Sequence, residues 1–343
     1  MSAIRSQQRE TSNKVKDFLE NLKPEDKIGI ITHDDTDGIV SALLFYRFLE
    51  KKGCKSISIS ILTIGVGISN NDFHNADKLI ILDLAPNLVI NILNSFSSKL
   101  ILCIDHHQKQ EEIPSNIIEL RTIGAIPTSR TCYEILEGFV QELDWLAMSG
   151  VLADMGDKYP ENFQFIRNFF EKNKLRIYDY KRDFVYPIGK MLVYFEDNLN
   201  KAFFILKDIK TKEDIKKIIK YSIPVQNEID KFLDLYQSNK EEIRGAIFFY
   251  FEPKFAIKSI IINMISIEVE SEDSVLVFAT PEDNLIRLSA RCQSGRINVG
   301  ELMKKLTEGL ENATGGGHEK TAGGAIMKKD LEVFKERLRR IKL

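Results

Sequence analysis

Short apolar runs rich in Ile and Leu alternate with helical patterns between about residues 27 and 157. Such runs are typical of buried parallel strands joined by crossover helices. A helix is predicted over 38–52, because Val40, Leu44 and Phe48 recur at a spacing that places them on one helical face. This part of the chain is therefore predicted to be an α/β domain, with strands over 27–31, 57–62, 79–82 and 100–104.

The pattern changes twice further along the chain. Residues 160–243 form charged, aromatic-rich helical segments, which predict a helical connector. After Gly245 four strands are predicted in AIFFYF, SIIINMISI, SVLVFA and LIRLSA, followed by helices over 299–310 and 331–341. We therefore expect an α/β fold with an N-terminal domain whose mostly parallel sheet is flanked by helices (1–190), a helical connector (191–243) and a smaller α/β domain (244–343).

Composition narrows the class of protein. The 343 residues, 43% apolar and 29% charged, suffice for two packed cores and exclude fibrous or broadly disordered chains. A formal charge of −2 lacks the positive excess of proteins that coat nucleic acid, so any phosphate-binding surface must be local. The four cysteines form no C-x-x-C pair, and no apolar run reaches membrane-spanning length. These features predict a protein of the reducing cytoplasm without a membrane partner.

Acidic and histidine residues follow three of the predicted strands. They are the segment from His33 to Gly38, the single Asp83, and the triplet Asp105-His106-His107. Because the carboxyl ends of parallel strands converge on one crevice, we expect these side chains to meet. Carboxylates and imidazoles without cysteine suit Mn²⁺ or Mg²⁺.

The segment after His33 has two other interpretations. A calcium loop is excluded, because Leu44 stands where an EF-hand needs its bidentate glutamate. The segment can also cap the following helix, with Asp37 as the N-cap residue. Asp154 ends an apolar segment that begins at Trp145, and a carboxylate at a helix C-terminus is unfavourable unless a cation lies near.

The densest glycine cluster of the chain runs from Thr314 to Gly324. It is no P-loop, since Glu319 stands where a glycine should precede the lysine, and AGGAIM afterwards predicts a strand. A tight glycine turn remains one interpretation. The other is a phosphate or nucleotide site, favoured by His318 and by Arg287, Arg291 and Arg296. The fifth histidine, His74, has no such surroundings and is predicted to be an ordinary surface residue.

In order along the chain, His33-x-Asp35-x-Asp37-Gly38, Asp83, Asp105-His106-His107 and Asp154 resemble the four motifs of the DHH phosphoesterase superfamily. The GGGH run, with Ala322-Gly323-Gly324 after it, resembles the signature of the DHHA1 domain. The first motif is closer to RecJ and its archaeal relatives than to the H-x-x-P-D-x-D of the nanoRNase branch.

This resemblance implies roles for individual residues. Two Mn²⁺ ions, or Mg²⁺, would be held by His33, Asp35, Asp37, Asp83, His106 and Asp154, with Asp83 bridging. Asp105 would orient the histidines and His107 would contact the scissile phosphate. The nucleotide would be held by Arg291, Gly315, Gly316, Gly317 and His318.

The resemblance implies a Mn²⁺-dependent, single-strand-specific exonuclease acting on DNA or RNA, tied to replication or repair. One alternative is a hydrolase of short oligonucleotides (a nanoRNase), cyclic dinucleotides or 3′-phosphoadenosine phosphate. Another is a replisome scaffold that binds GINS-like partners or a helicase.

Overall fold

The computed structural model describes residues 2–63, 73, 75–85, 89–96, 98–107, 114, 117–122 and 124–341. It divides into two compact units, Met1–Ser222 and Ile223–Leu343. The boundary lies inside one long helix, so residues of the predicted connector belong to both units. His74 lies outside the described residues.

The first unit is built on a five-stranded sheet in the order β2-β1-β3-β4-β5, in which every pair is parallel. This confirms the predicted fold class. The strands are β1 Lys27–His33, β2 Ser56–Leu62, β3 Lys78–Leu82, β4 Leu100–Asp105 and β5 Ile117–Arg121. The helices are α1 Ser2–Glu20, α2 Thr36–Lys51, α3 Ile90–Ser95, α4 Thr128–Ile135, α5 Asp144–Ala153, α6 Pro160–Asn173, α7 Ile177–Tyr180, α8 Tyr186–Tyr194, α9 Leu199–Lys207 and the first part of α10 Lys216–Asn239.

Both faces of this sheet are covered, which is why its strands read as continuous apolar runs. Ile30, Ile80 and Leu102 point into the core that contains α2 and α5, while Ile81 and Cys103 point to the opposite face. The parallel register brings the carboxyl ends of all five strands to one edge. The predicted acidic residues therefore lie along that edge.

Helix α2 begins two residues earlier than the sequence predicts, at Thr36. Its N-cap is Asp35, whose carboxylate accepts a hydrogen bond from the Gly38 N–H at 2.9 Å, so the prediction of Asp37 as the cap is wrong. Asp37 lies inside the first helical turn and is 2% exposed. The shift frees the Asp37 carboxylate to point into the protein.

The second unit contains a six-stranded mixed sheet in the order β10-β11-β9-β8-β7-β6, in which only β7 and β8 are parallel. One face packs on α12 and α13, and Tyr236 of α10 packs on Phe249 and Phe278 of the other face. The strands are β6 Glu241–Ile243, β7 Ala246–Tyr250, β8 Val275–Glu282, β9 Leu285–Arg291, β10 Thr314–Gly317 and β11 Thr321–Met327, and the helices are α11 Lys258–Met264, α12 Val299–Thr307 and α13 Leu331–Arg340.

The predicted strand SIIINMISI is instead helix α11, continued by a π-turn over Ile265–Val269. Its β-branched residues favour a strand locally, but Ile261, Ile262 and Ile265 are all fully buried. That spacing matches a helical face, so packing against the sheet overrides local propensity.

Among the described residues, no helix is long and apolar enough to cross a membrane. The four cysteines are free and buried.

Candidate metal centre

Three overlapping groups of metal-ligand side chains lie at the carboxyl edge of the first sheet. Within each group one ligand atom from every residue lies within 4.8 Å of the others. The three groups are Asp83 with His106 and His107, His33 with Asp35 and Asp83, and Asp37 with His106 and Asp154. Because Asp83 and His106 each belong to two groups, the groups form one cluster. The structure thus brings together all six predicted ligands.

Asp83 is held in an unusual backbone conformation immediately after β3. Its φ of 59° is left-handed, which aspartate tolerates better than most residues, and its N–H donates to Ile104 O at 2.9 Å. Oδ1 accepts from the Thr128 hydroxyl at 2.9 Å, while the buried Oδ2 has no hydrogen-bond partner among the described residues. An unpaired buried carboxylate oxygen is costly unless a cation binds it.

Asp37 is held by the first residues of α4. The backbone N–H of Thr128 donates to Oδ2 at 2.8 Å, and that of Ser129 donates to Oδ1 at 3.1 Å; the Ser129 hydroxyl bonds the same oxygen. Sequence reasoning missed both residues. The signal was present, because Pro127-Thr128-Ser129 is a helix start whose free N–H groups favour an anion.

A contact with the backbone carbonyl of Gly124 orients the His106 ring toward the cluster. Nδ1 lies 3.3 Å from Gly124 O, which favours a proton on that nitrogen and leaves Nε2 as the free donor of an electron pair. Nε2 lies 3.4 Å from Asp83 Oδ1 and 3.7 Å from Asp154 Oδ2. Asp154 itself caps the end of α5, as the sequence predicts.

Asp105 supports His107 from within the sheet. It is fully buried, and its Oδ1 accepts a hydrogen bond from His107 Nδ1 at 2.7 Å. Arg121 lies 3.1 Å from Oδ2 and also bonds the His107 carbonyl. Burial works against ionisation of Asp105, but the hydrogen bond and charge of His107 hold the pKa of its carboxyl below the usual range. Arg121 was missed because only the pairing of β4 with β5 places it opposite Asp105.

The acidic side chains of the cluster repel one another. Burial raises the pKa of Asp37 to about 7, and the charges of Asp35 and Asp154 add to this. Burial and the same kind of repulsion raise the pKa of Asp83 well above its usual range, and burial also raises that of Asp154. For Asp35 the hydrogen bond and charge of His33 outweigh burial and lower the pKa. Oxygen and imidazole donors crowded in this way fit hard divalent cations such as Mn²⁺ or Mg²⁺.

The predicted substrate-binding residues lie in the second unit. The glycine run is strand β10 and no turn, because β10 packs very closely on α12: a Cβ at Gly315 would come within 2.5 Å of Met303 O. Gly317 has a φ of 144°, which only glycine adopts easily. His318 follows in the hairpin between β10 and β11, and its N–H donates to Thr321 O at 2.8 Å.

Arg291 lies at the same end of this sheet as the hairpin. It pairs with Thr321 across β9 and β11. Its guanidinium donates to Asn263 Oδ1 at 2.8 Å and to the Ala290 carbonyl, and it has no carboxylate partner among the described residues. Burial lowers the pKa of this group. Arg287 differs, since it forms a two-bond ion pair with Glu282.

Two family patterns match the sequence. Residues 27–156 match the DHH family, N-terminal domain, and residues 247–342 match the DHHA1 domain. The chain belongs to the DHH/DHHA1 family. This family comprises metal-dependent hydrolases, and the cluster described above fits that chemistry.

Solved structures share this fold at low sequence identity. Exonuclease RecJ bound to manganese is 15% identical with a TM-score of 0.72, covering 97% of this chain and 93% of that one. RecJ from Thermus thermophilus in complex with Mn²⁺ is 14% identical with a TM-score of 0.66. The match covers 97% of this chain and 54% of that one. CDC45 from Entamoeba histolytica is 11% identical with a TM-score of 0.62, covering 99% and 98% of the two chains. No curated protein matches the sequence.

Gly150 of α5 packs directly on the residues that hold Asp37. A Cβ there would lie 2.7 Å from Ser129 Cβ and 3.0 Å from Asp37 Oδ1. We therefore expect Gly150→Ala to displace the Asp37 carboxylate and to weaken Mn²⁺ binding at least tenfold in calorimetry. The overpacking should also cost about 1–3 kcal/mol of unfolding free energy.

Gly189→Ala is the matched control, because a Cβ in that helix would make only an ordinary contact, 3.8 Å from Thr36 Oγ1. Its Mn²⁺ affinity should equal that of the wild type. Equal affinity in both alanine variants would show that Gly150 has no part in placing Asp37.

Proposed function

We propose that this protein is a two-metal phosphodiesterase that acts as a single-strand-specific, Mn²⁺-dependent exonuclease on DNA or RNA. The observation that carries the proposal is the cluster of three ligand groups, which share Asp83 and His106 and contain all six proposed ligands together with His107. Asp83 lies in two groups, and its buried Oδ2 has no hydrogen-bond partner among the described residues, so this carboxylate would be shared by the two ions.

His33, Asp35, Asp37, Asp83, His106 and Asp154 would hold the ions. Bound Mn²⁺ or Mg²⁺ supplies Lewis acidity that activates water and neutralises charge on the phosphoryl group. His107, whose side chain is 48% exposed, is oriented by buried Asp105, whose hydrogen bond and charge raise the pKa of the imidazole against burial. The protonated ring can donate a hydrogen bond from its Nε2 to a phosphate oxygen. In the second unit, Arg291, Gly315, Gly316, Gly317 and His318 would bind phosphate or nucleotide.

The fold comparisons support this choice of reaction. RecJ structures bound to manganese and to magnesium share the fold of this chain. A nuclease of this kind would act in replication or repair.

The test is an assay with end-labelled single strands of graded length, cyclic dinucleotides and 3′-phosphoadenosine phosphate, with Mn²⁺, Mg²⁺ or a chelator. We expect Mn²⁺-dependent shortening of long single strands from one end, no action on the matching duplex, and none in chelator. Hydrolysis confined to oligomers of a few residues, to cyclic dinucleotides or to 3′-phosphoadenosine phosphate would contradict the exonuclease and favour the corresponding alternative.

A second candidate function is a replisome scaffold, favoured by the fold similarity to CDC45 over nearly the whole of both chains. This function predicts stable binding to a GINS-like complex or a replicative helicase from the same organism, measured by size-exclusion chromatography of the mixed proteins. Binding without hydrolysis of any substrate would support the scaffold over the enzyme.

A further inference from the structure

A stripe of aromatic and basic side chains runs along the helical segment 177–194 of the first unit. Tyr178, Arg182, Tyr186, Lys190 and Tyr194 follow one another at intervals of four residues. Tyr178 is 72% exposed, Tyr186 48% and Tyr194 38%. Single exposed aromatic side chains are common, but a contiguous row of them is typical of an interaction surface.

The backbone keeps these side chains next to one another. Helix α7 continues through a π-turn, Lys181–Val185, into α8, and residues four apart on a helix are neighbours. In a regular α-helix such a row drifts by about 40° per step. The wider π-turn, marked by the Tyr186 N–H bonding Lys181 O, takes up part of that drift. The Lys190 ammonium lies 5.6 Å from the centre of the Tyr186 ring, so the stripe is continuous there.

This segment flanks the candidate metal centre at two points. Lys181 Nζ lies 2.7 Å from Asp157 Oδ2, in the turn that follows Asp154. Gly189 faces Thr36, the residue between Asp35 and Asp37, with 3.8 Å between its ideal Cβ and the Thr36 hydroxyl. Arg182 and Lys190 of the stripe directly follow these two residues, so the stripe lies on the side of the segment next to the side that contacts the centre.

The chemistry of the stripe favours bases more than phosphates. Arg182 is paired with Asp179 and Asp183, so the exposed tyrosine rings are the main contact groups of the stripe. Tyrosine rings stack on any base, and such stacking is the usual mode of sequence-independent binding to single strands. Duplex bases are already stacked and offer no free faces.

We propose that Tyr178, Tyr186 and Tyr194 form a stacking track for the bases of a single-stranded nucleic acid whose end lies at the metal centre. This inference rests on the proposed function and adds a reason for single-strand specificity. The track holds nucleotides beyond the scissile one, so its contribution grows with strand length.

The experiment measures binding of the full chain to fluorescein-labelled dT20 and dT4 by anisotropy in EDTA, where no hydrolysis competes. The wild type should bind dT20 more tightly than dT4, and Tyr178→Ala/Tyr186→Ala should reduce that ratio about tenfold or more. Phe204→Ala, an aromatic 46% exposed on α9, is the matched control and should keep the wild-type ratio. Thermal unfolding checks that each variant is folded.

Tyr186→Trp supplies a direct readout of stacking. The chain has one native tryptophan, Trp145, which is 1% exposed, so quenching on addition of dT20 reports the new indole. We expect quenching together with wild-type affinity, because the larger ring still stacks.

An unchanged dT20:dT4 ratio in the double alanine variant, or no quenching in Tyr186→Trp, would overturn the track. Weak binding of dT20 by the wild type itself would also overturn it, while Mn²⁺-dependent cleavage of a dinucleotide would leave the phosphodiesterase standing. If dT20 bound normally but no substrate were hydrolysed, the track would stand and the proposed phosphodiesterase activity would be wrong.

Discussion

Asp83→Asn is expected to lower Mn²⁺-dependent hydrolysis about 1,000-fold or more, because it removes a charge that two ligand groups share. The folded protein should survive the change. Burial and the charges of Asp37 and Asp35 already oppose ionisation of Asp83, so neutral asparagine relieves repulsion in the metal-free protein. In chelator the variant should unfold at the same temperature as the wild type or a higher one.

Asp234→Asn is the control, since that exposed aspartate of α10 lies in no ligand group. It should keep wild-type activity and the wild-type response to Mn²⁺. If Asp83→Asn retained activity within a few-fold, the assignment of Asp83 as a shared ligand would be wrong.

The metal-free protein is expected to lose stability as pH rises from about 4 to about 7. The folded pKa of Asp37 is about 7, above its ordinary value of 3.8, so its contribution is fully present below the lower value and is lost as pH rises to the higher one. Over this range the unfolded chain releases the proton, whereas the folded carboxyl still holds it. Asp83, with its pKa also raised, extends the loss to higher pH. Denaturant titrations in EDTA across this range should show the free energy of unfolding falling by a few kcal/mol.

Mn²⁺ should oppose that slope, because the ion binds the ionised carboxylates and only the folded state assembles them. The stabilisation by Mn²⁺ is therefore expected to grow with pH. Asp37→Asn should flatten the slope in EDTA, whereas Asp234→Asn should leave it as in the wild type. Stability in EDTA that increases over this range would contradict the crowding of carboxylates described here.

Four of the five strands of the first sheet, β1 to β4, and the acidic residues at their ends were predicted from sequence; the half-buried β5 was not. Buried parallel strands are continuous apolar runs, and their ends are visible as the first polar residues, His33, Asp83 and Asp105 among them. The motif resemblance then assembled the same six residues that the structure brings together. The assignment of ions and of roles to these residues remains a proposal.

Contacts across the fold were hidden from sequence because they depend on which elements become neighbours. Thr128 and Ser129 reach Asp37 from about 90 residues away, and Arg121 reaches Asp105 only through strand pairing. Helix α11 reads locally as a strand, and the glycine run reads as a turn until close packing on α12 makes it a strand.

The sequence alone therefore determined the α/β class, the family motifs and the residues able to bind metal, since periodicity and residue chemistry are local properties. Only the tertiary structure decided which atoms hold each carboxylate, which oxygen of Asp83 has no donor among the described residues, and that the segment 177–194 contacts residues next to the centre. Those features arise from distances between segments, and such distances are set by packing of the whole unit.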